Sequence, residues 1–284
     1  MSAVPSAPSR NPYGRSLRET LEGSRPWDRF RQMGDMGALA VQVLRIAVVN
    51  PSLWVRDAIV EMSIAFRRCA VPLIISHTVY VVGYGILLFG LLIVNLGITE
   101  RIASAFFLIW GREIATWITA MIFAGIVGSA VTADLGARKI REELDAMAVL
   151  GVKQVRALVV PRVMAMTIAL PVLAMLSLMC VMTVSGLVAT SMFGFSTGVF
   201  KDNMFGNIFP LDLIVTMALK NAILGFFVGI VACYKGISSR PGAEGVGRAV
   251  SETVMITFFG IWLFNSLYNL AYLTLLPNAA VLKG

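Results

Sequence analysis

The sequence predicts an all-α integral membrane protein: five transmembrane helices preceded by N-terminal interfacial amphipathic helices. Three observations carry that prediction. Of 284 residues, 57% are hydrophobic and only 14% charged, and mean hydropathy is +0.80; an average soluble domain carries about 25% charge. Such a chain cannot clothe a water-facing surface in the usual way, which excludes an ordinary soluble enzyme, a disordered chain and a disulfide-built secreted domain. Five stretches are also long enough to cross a bilayer, which takes about 20 predominantly apolar residues. Finally, 24 Lys and Arg stand against 16 Asp and Glu, and they are unevenly placed. In membrane proteins cations gather on the cytoplasmic side, so the net charge of +8 points to orientation before nucleic acid, and no nucleic-acid partner is expected.

Taken in order, residues 1–26 are polar, with four prolines and four arginines, and read as a flexible cytoplasmic tail; they lack the apolar core of a cleavable signal. Residues 27–70 carry apolar positions at spacings of three and four: Phe30, Met33, Leu39, Val43, Leu44, Ala47 and Val48, then Leu53, Trp54, Ile59, Met62 and Phe66. Arg56, Asp57, Glu61, Arg67 and Arg68 fill the other face of the second stretch, the mixture expected of helices lying on a membrane surface. The membrane-spanning body, 71–276, holds spans at about 71–96, 103–133, 163–193, 211–234 and 253–276, and 277–284 form an extracytoplasmic tail. Pro171 is a candidate kink in the third span.

The cations set the direction. Ten lie in 1–68, six in 134–162 and three in 235–248, against Arg101, Lys201 and Lys283 in the alternate segments. That distribution places the N-terminus in the cytoplasm and the C-terminus outside.

Charged residues within spans are costly, which makes each a candidate site. Lys220 lies about 14 Å along the fourth span from its outer end at 1.5 Å per residue, and Arg112 and Glu113 sit in the outer part of the second. Glu113 can serve as a structural counter-charge for Lys220 or Arg112, or the three can line an outward-facing cavity for an amphipathic ligand's head group. Asn265 and Asn269, with Tyr268 and Tyr272 on similar spacing, can face the same cavity or hydrogen-bond between helices. His77 reads as a packing residue. A stripe of small residues in span two, Ala124, Gly125, Gly128, Ser129, Thr132, Ala133 and Gly136, predicts a close helix contact.

The segment after span two is the most informative connection. Ile140, Leu144 and Met147 are spaced as one helical stripe among Arg138, Lys139, Arg141, Glu142, Glu143 and Asp145, and Gly151 marks its end. This predicts a short amphipathic helix over 138–150, either a solvated connector or a docking element for a cytoplasmic partner. Gly242, Gly245 and Gly247 do not form a phosphate-binding loop, because no Gly-Lys-Ser/Thr follows. Three cysteines and one histidine offer no metal-ligand spacing. No ATPase site of its own is therefore expected, and chemical energy must come from another subunit or an ion gradient.

The run Arg112-Glu113, Phe123-Ala124-Gly125, Gly128 to Gly136, Glu142 to Met147, Gly151 and Pro161-Arg162 resembles the MlaE/YrbE permease family. Its members are the membrane subunits of ABC lipid transporters that work with Mce (mammalian cell entry) proteins. The ending Cys233-Tyr234-Lys235-Gly236, with Gly245-Val246-Gly247 and Ala249-Val250, looks like the actinobacterial YrbE branch, A-type. The resemblance implies a dimer with an identical or paralogous permease, a lipid substrate, extracytoplasmic Mce partners, and a cytoplasmic ABC ATPase that binds ATP and Mg. It carries lipid binding to Arg112, Glu113 and Lys220, with Asn265 nearby, and ATPase coupling to Glu142, Glu143 and Asp145. Some relatives have an aspartate in the last span where this chain has only Asn265, so no charge-dependent role carries over there. The rival readings are an ion-coupled secondary transporter titrating Glu113 or Lys220, and a structural membrane anchor. The first lacks a carboxylate at mid-membrane and an inverted repeat.

Overall fold

The computed structural model describes residues 26–85, 97, 107–194, 196–206 and 213–275. Every regular element among them is helical. In chain order, α1 spans Pro26–Val49, and a tight 3-10 turn at Pro51–Leu53 leads into α2, Val55–Tyr80, continued by a wider π-helical turn over Val81–Gly85. The third helix, α3, runs from Phe107 to Ile140, with π-helical turns at Phe107–Ile114 and Ala124–Gly128 between its α-helical parts. Then come the short α4, Glu143–Val149; α5, Val160–Phe193; α6, Thr197–Gly206; α7, Lys220–Ile237; and α8, Ala243–Leu275. A π-helical turn precedes α5 at Val155–Val159 and α7 at Leu213–Leu219.

Five helical stretches are long and apolar enough to cross a membrane: Phe30–Val49, Ala115–Ile140, Val155–Phe193, Ile214–Ile237 and Ala243–Tyr272. Four of them overlap the second to fifth expected spans. The fifth is α1, in the segment read from sequence as interfacial. The first expected span, 71–96, is described only to Gly85, where it is the continuation of α2; residues 86–96 lie outside the described residues, as do the two tails. One helix thus passes the expected boundary at 70/71, with Pro72 inside it.

The helices overshoot the apolar runs at the end of the bundle that carries most of the cations. Span two continues to Ile140, span four to Ile237, and span five starts at Ala243. Hydropathy marks where the apolar stretch stops, whereas helical hydrogen bonding propagates through polar residues, so the helices outlast the apolar stretch. Pro171 lies within α5, which is not interrupted there.

α5 and α7 share the most extensive face, α2 lies along another side of α5, and α3 and α8 close around α7. The seam between α5 and α7 is set by Gly225 and Gly229. A Cβ on Gly225 would strike the Met166 carbonyl oxygen, and one on Gly229 would lie 3.1 Å from the Val163 Cα. Backbone-to-backbone approach of this kind is how small residues four apart join helices in lipid. The core then fills with Leu135, Val159, Val163, Leu170, Leu173 and Leu224, all without exposed surface.

Two sequence stripes are redrawn by this packing. On α1, Val43 and Ala47 are buried, while Phe30, Met33 and Val48 are exposed. On α2 the buried line is Ala58, Ala65, Cys69, Leu73 and His77, whereas Ile59 is exposed. The small stripe of α3 meets α7 in part: Gly128 faces Val228, and Thr132 donates to the Ala232 carbonyl at 3.1 Å. Gly125 meets nothing.

Candidate functional site

Three helices bring their polar residues together in the apolar part of the bundle. α3 supplies Glu113, α7 supplies Lys220 at its first residue, and α8 supplies Asn265, Tyr268 and Asn269 one turn apart. The Asn265 amide donates to Glu113 Oε2 at 3.0 Å. Lys220 Nζ donates to Asn269 Oδ1 at 3.0 Å and lies 5.4 Å from the centre of the Tyr268 ring, within range of a cation–π attraction. Tyr268 in turn donates its hydroxyl proton to the Val215 carbonyl at 2.6 Å. That bond ties α8 to the turn before α7.

Burial sharpens the arrangement. Lys220 has no exposed surface and Asn265 is 6% exposed. An ammonium withdrawn from water must be compensated by acceptors or charge, and Asn269, the Tyr268 ring and the electrostatic influence of Glu113 supply that compensation. The Asn265 Oδ1 atom has no hydrogen-bond partner among the described residues, nor does Asn221 Oδ1, one residue beyond Lys220. Asn265 and Asn269 each hydrogen-bond to a residue of another helix, one of the two roles that their spacing allows. The side chain of Arg112 lies outside the described residues, although its backbone belongs to the first turn of α3.

The acidic segment differs from its sequence reading. It is not one helix over 138–150. The long α3 ends at Ile140, Glu142 adopts a left-handed conformation with φ 60°, and the separate α4 begins at Glu143. Ile140 is therefore exposed at 44%, while Leu144 is 3% exposed, and the supposed Ile140–Leu144–Met147 stripe is split by the turn. The stripe rule assumes unbroken helical rotation, which a left-handed residue ends. Glu142 and Asp145 are exposed. Glu143 is half-buried and engaged: Arg141 reaches it at 2.6 Å and Arg138 at 3.5 Å. The bond to Glu143 holds the Arg141 guanidinium above its ordinary pKa.

Residues quoted as a motif, but given no role from sequence, form a second polar cluster at this end. Arg162, near the start of α5, bonds Glu61 of α2 at 3.2 Å and Asp134 of α3 at 2.7 Å. Asp134 also accepts from Arg138 at 3.1 Å. On the neighbouring side, Lys235 bonds Glu252 at 2.7 Å and Gln32 of α1 at 3.1 Å. Lys139 donates to the Ile237 carbonyl at the end of α7 at 2.8 Å.

A separate small apolar pocket, with a cavity volume of about 10 Å³, lies between the end of α2, α5 and α6, lined by Val81, Ser185, Val188, Ala189, Phe193 and Phe200 among others. The expected site residues do not line it. Among the described residues no group of three or more His, Cys, Asp or Glu could hold a metal.

Comparison with known proteins places this arrangement. The family described as Permease MlaE matches residues 64–271, which takes in the Lys220 cluster and, of the second cluster, all but Glu61 and Gln32. The chain belongs to the MlaE permease family. It is 32% identical over 169 residues to a protein of Synechocystis named "Probable ABC transporter permease protein", an overlap covering 60% of this chain and 64% of that one. It is 30% identical over 169 residues to the chloroplast protein TRIGALACTOSYLDIACYLGLYCEROL 1 of Arabidopsis thaliana, covering 60% and 48%. A Rickettsia bellii protein, also named as an ABC transporter permease, is 30% identical over 156 residues, covering 55% and 60%. The MlaE-family chain thus spans about half to two thirds of the length of these curated relatives. The matched region of the family begins inside α2, so α1 lies before it.

Proposed function

We propose that the chain is the permease subunit of an ATP-driven lipid importer that works with Mce proteins. It pairs with a second permease, identical or paralogous, to enclose a lipid-binding cavity in a bacterial inner membrane, with its N-terminus cytoplasmic and its C-terminus outside. The observation that carries this reading is the convergence of Glu113, Lys220, Asn265 and Asn269 from three helices in the apolar part of the bundle. A buried cation beside amides suits the charged or hydroxylated head of an amphipathic molecule, while surrounding apolar faces suit its tails. Arg112 joins Glu113, Lys220 and Asn265 as a head-group residue in this proposal. The family, the relatives named as ABC transporter permeases and the plant relative named for a galactolipid support it.

ATP and Mg are bound by a cytoplasmic ABC ATPase, not by this chain. Glu142, Glu143 and Asp145 are the coupling residues. Glu142 and Asp145 are exposed and available to a partner, whereas Glu143 acts from within its bonds to Arg138 and Arg141. ATP binding and hydrolysis in the partner move α4 and the helices attached to it, opening and closing the cavity.

The test is affinity purification of the full chain in mild detergent, with mass spectrometry of the subunits and lipids that accompany it. An ATPase, a second permease, Mce proteins and a bound lipid are expected. Lys220→Ala should lose the lipid but keep the ATPase, and Glu142→Lys with Asp145→Lys should lose the ATPase. Lipid transport that proceeds with the ATPase removed would overturn the reading in favour of an ion-coupled transporter. Unchanged lipid in Lys220→Ala would remove that residue from the cavity.

A further inference from the structure

A single chain of alternating charges runs from α2 to α4: Glu61, Arg162, Asp134, Arg138, Glu143 and Arg141, linked in that order. Its members come from four helices or their ends, and its charges sum to zero. The hub is Arg162. Its side chain is 8% exposed, and its three guanidinium nitrogens are all engaged, Nε by Glu61, Nη2 by Asp134 and Nη1 by the Leu158 carbonyl. The planar fork of arginine holds the two carboxylates in fixed directions from separate nitrogens, which the point charge of a lysine does not. Asp134 is the crossing point, because one oxygen, Oδ2, receives both Arg162 and Arg138.

The short α4 is joined to its neighbours by left-handed residues at both ends, Glu142 at φ 60° and Gly151 at φ 73°. Its covalent connections therefore do not fix its direction through continuous helix. Leu144 anchors it by burial, and Gln154 donates to the Leu144 carbonyl at 2.6 Å. Across the Glu142 turn, the described side-chain bond that reaches back to α3 is Arg138–Glu143, and Arg138 is held by Asp134.

We propose that Arg162 and Asp134 are positioning residues that lock α4 to the ends of α2, α3 and α5, so that a displacement of α4 is carried to α2 as one body. The proposal deepens the coupling role given to α4 above and rests on that reading. Four contacts in series lead from Glu143 to Glu61 through the buried Arg162 hub, and Arg138, held by Asp134 at the same time, is not the lone exposed pair that would slip.

The experiment uses spin labels at two exposed positions, Ile59→Cys on α2 and Val149→Cys on α4, in the full chain with Cys180→Ser. Pulsed EPR is recorded on the chain alone and on the complex with its co-purified ATPase, with and without ATP. The unaltered network should give a single α2–α4 distance peak that persists when ATP is added. Asp134→Asn should lose that peak, and Asp134→Glu should restore it, which a simple loss of fold would not do. In the complex, Asp134→Asn should lower ATP hydrolysis roughly tenfold without releasing the ATPase. Glu143→Gln, at the far end of the chain, gives a second measurement should Asp134→Asn not fold, and it too should lose the peak. Retention of one peak in both Asp134→Asn and Glu143→Gln overturns the proposal. Loss of the peak in a protein that brings no ATPase with it upholds the lock and overturns the coupling reading instead.

Discussion

Around Lys220 the hydrogen-bond acceptor and the ring in reach are neutral, an amide oxygen and an aromatic face, with Glu113 acting on it electrostatically; around Arg162 the bonded partners are two carboxylates and a carbonyl. Both cations are almost wholly withdrawn from solvent. The Arg162 cluster sits where its partners Glu61 and Asp134 keep 29% and 43% of their side-chain surface, so water reaches both carboxylates. In the apolar part of the bundle a carboxylate must itself be satisfied, and Glu113 is, by Asn265. Amides bridge without adding charge, which leaves the Lys220 cluster able to exchange one neutral partner for a ligand. The ionic cluster has no such freedom, because releasing any member strands a charge. One arrangement suits exchange and the other suits rigidity.

The largest expected effect comes from stranding charges at the rigid end. Arg162→Ala takes the described cation from Glu61, leaves Asp134 with Arg138 alone and should cost about 3 kcal/mol, read as a drop in melting temperature in detergent. Arg162→Met should cost less than Arg162→Ala, since it refills the space, and an equal loss in both would mean that charge alone decides. Next comes a change that touches neither cluster. Gly225→Ala places a methyl group against the Met166 carbonyl and should cost about 1–3 kcal/mol by overpacking; calorimetry or a thermal shift assay would check it, and an unaffected midpoint would show that α5 and α7 part readily.

At the exchangeable end, Asn269→Leu should cost only about 1 kcal/mol, in the range measured for hydrogen bonds inside bilayers, yet it should change which lipid co-purifies. Should its stability loss match that of Arg162→Ala, the distinction between the two clusters fails. The smallest effect is expected at the exposed end of the ionic chain. Arg141→Ala should leave the melting temperature unmoved, and raising salt to about 1 M, where the screening length falls to about 3 Å, should mimic it without disturbing Arg162.

Hydropathy and charge placement made most of the architecture legible, because burial in lipid demands long apolar runs. The Lys220 site was partly legible too: Glu113 was a candidate counter-charge, and the one-turn spacing of Asn265 and Asn269 put them on one face. The sequence could not pair Lys220 with Asn269 and Glu113 with Asn265, since those contacts join residues 49 and 152 positions apart. The break at Glu142 was hidden for a local reason. Ile140, Leu144 and Met147 satisfy the helical period, and a glutamate in the left-handed region has no compositional signal such as glycine provides. The Arg162 network was invisible as a network, although Asp134 and Arg162 were both quoted as motif residues. The α5–α7 seam, by contrast, was readable: Gly225 and Gly229 lie one turn apart in the fourth span, a spacing passed over in favour of the longer small-residue stripe of α3.

That seam limits what kind of motion this bundle can make. Where two backbones meet with no room for a methyl group, a shift of one residue along the axis would bring Phe226 or Ile230 to the position Gly225 or Gly229 now holds. Sliding is thereby forbidden, and α5 and α7 must travel together as a keel. The face with α3 is as close at Gly236, where a Cβ would lie 3.0 Å from the Thr132 carbonyl oxygen, so the freedom left to α7 is on its face with α8, where the Phe227 side chain rather than backbone lies against Gly260.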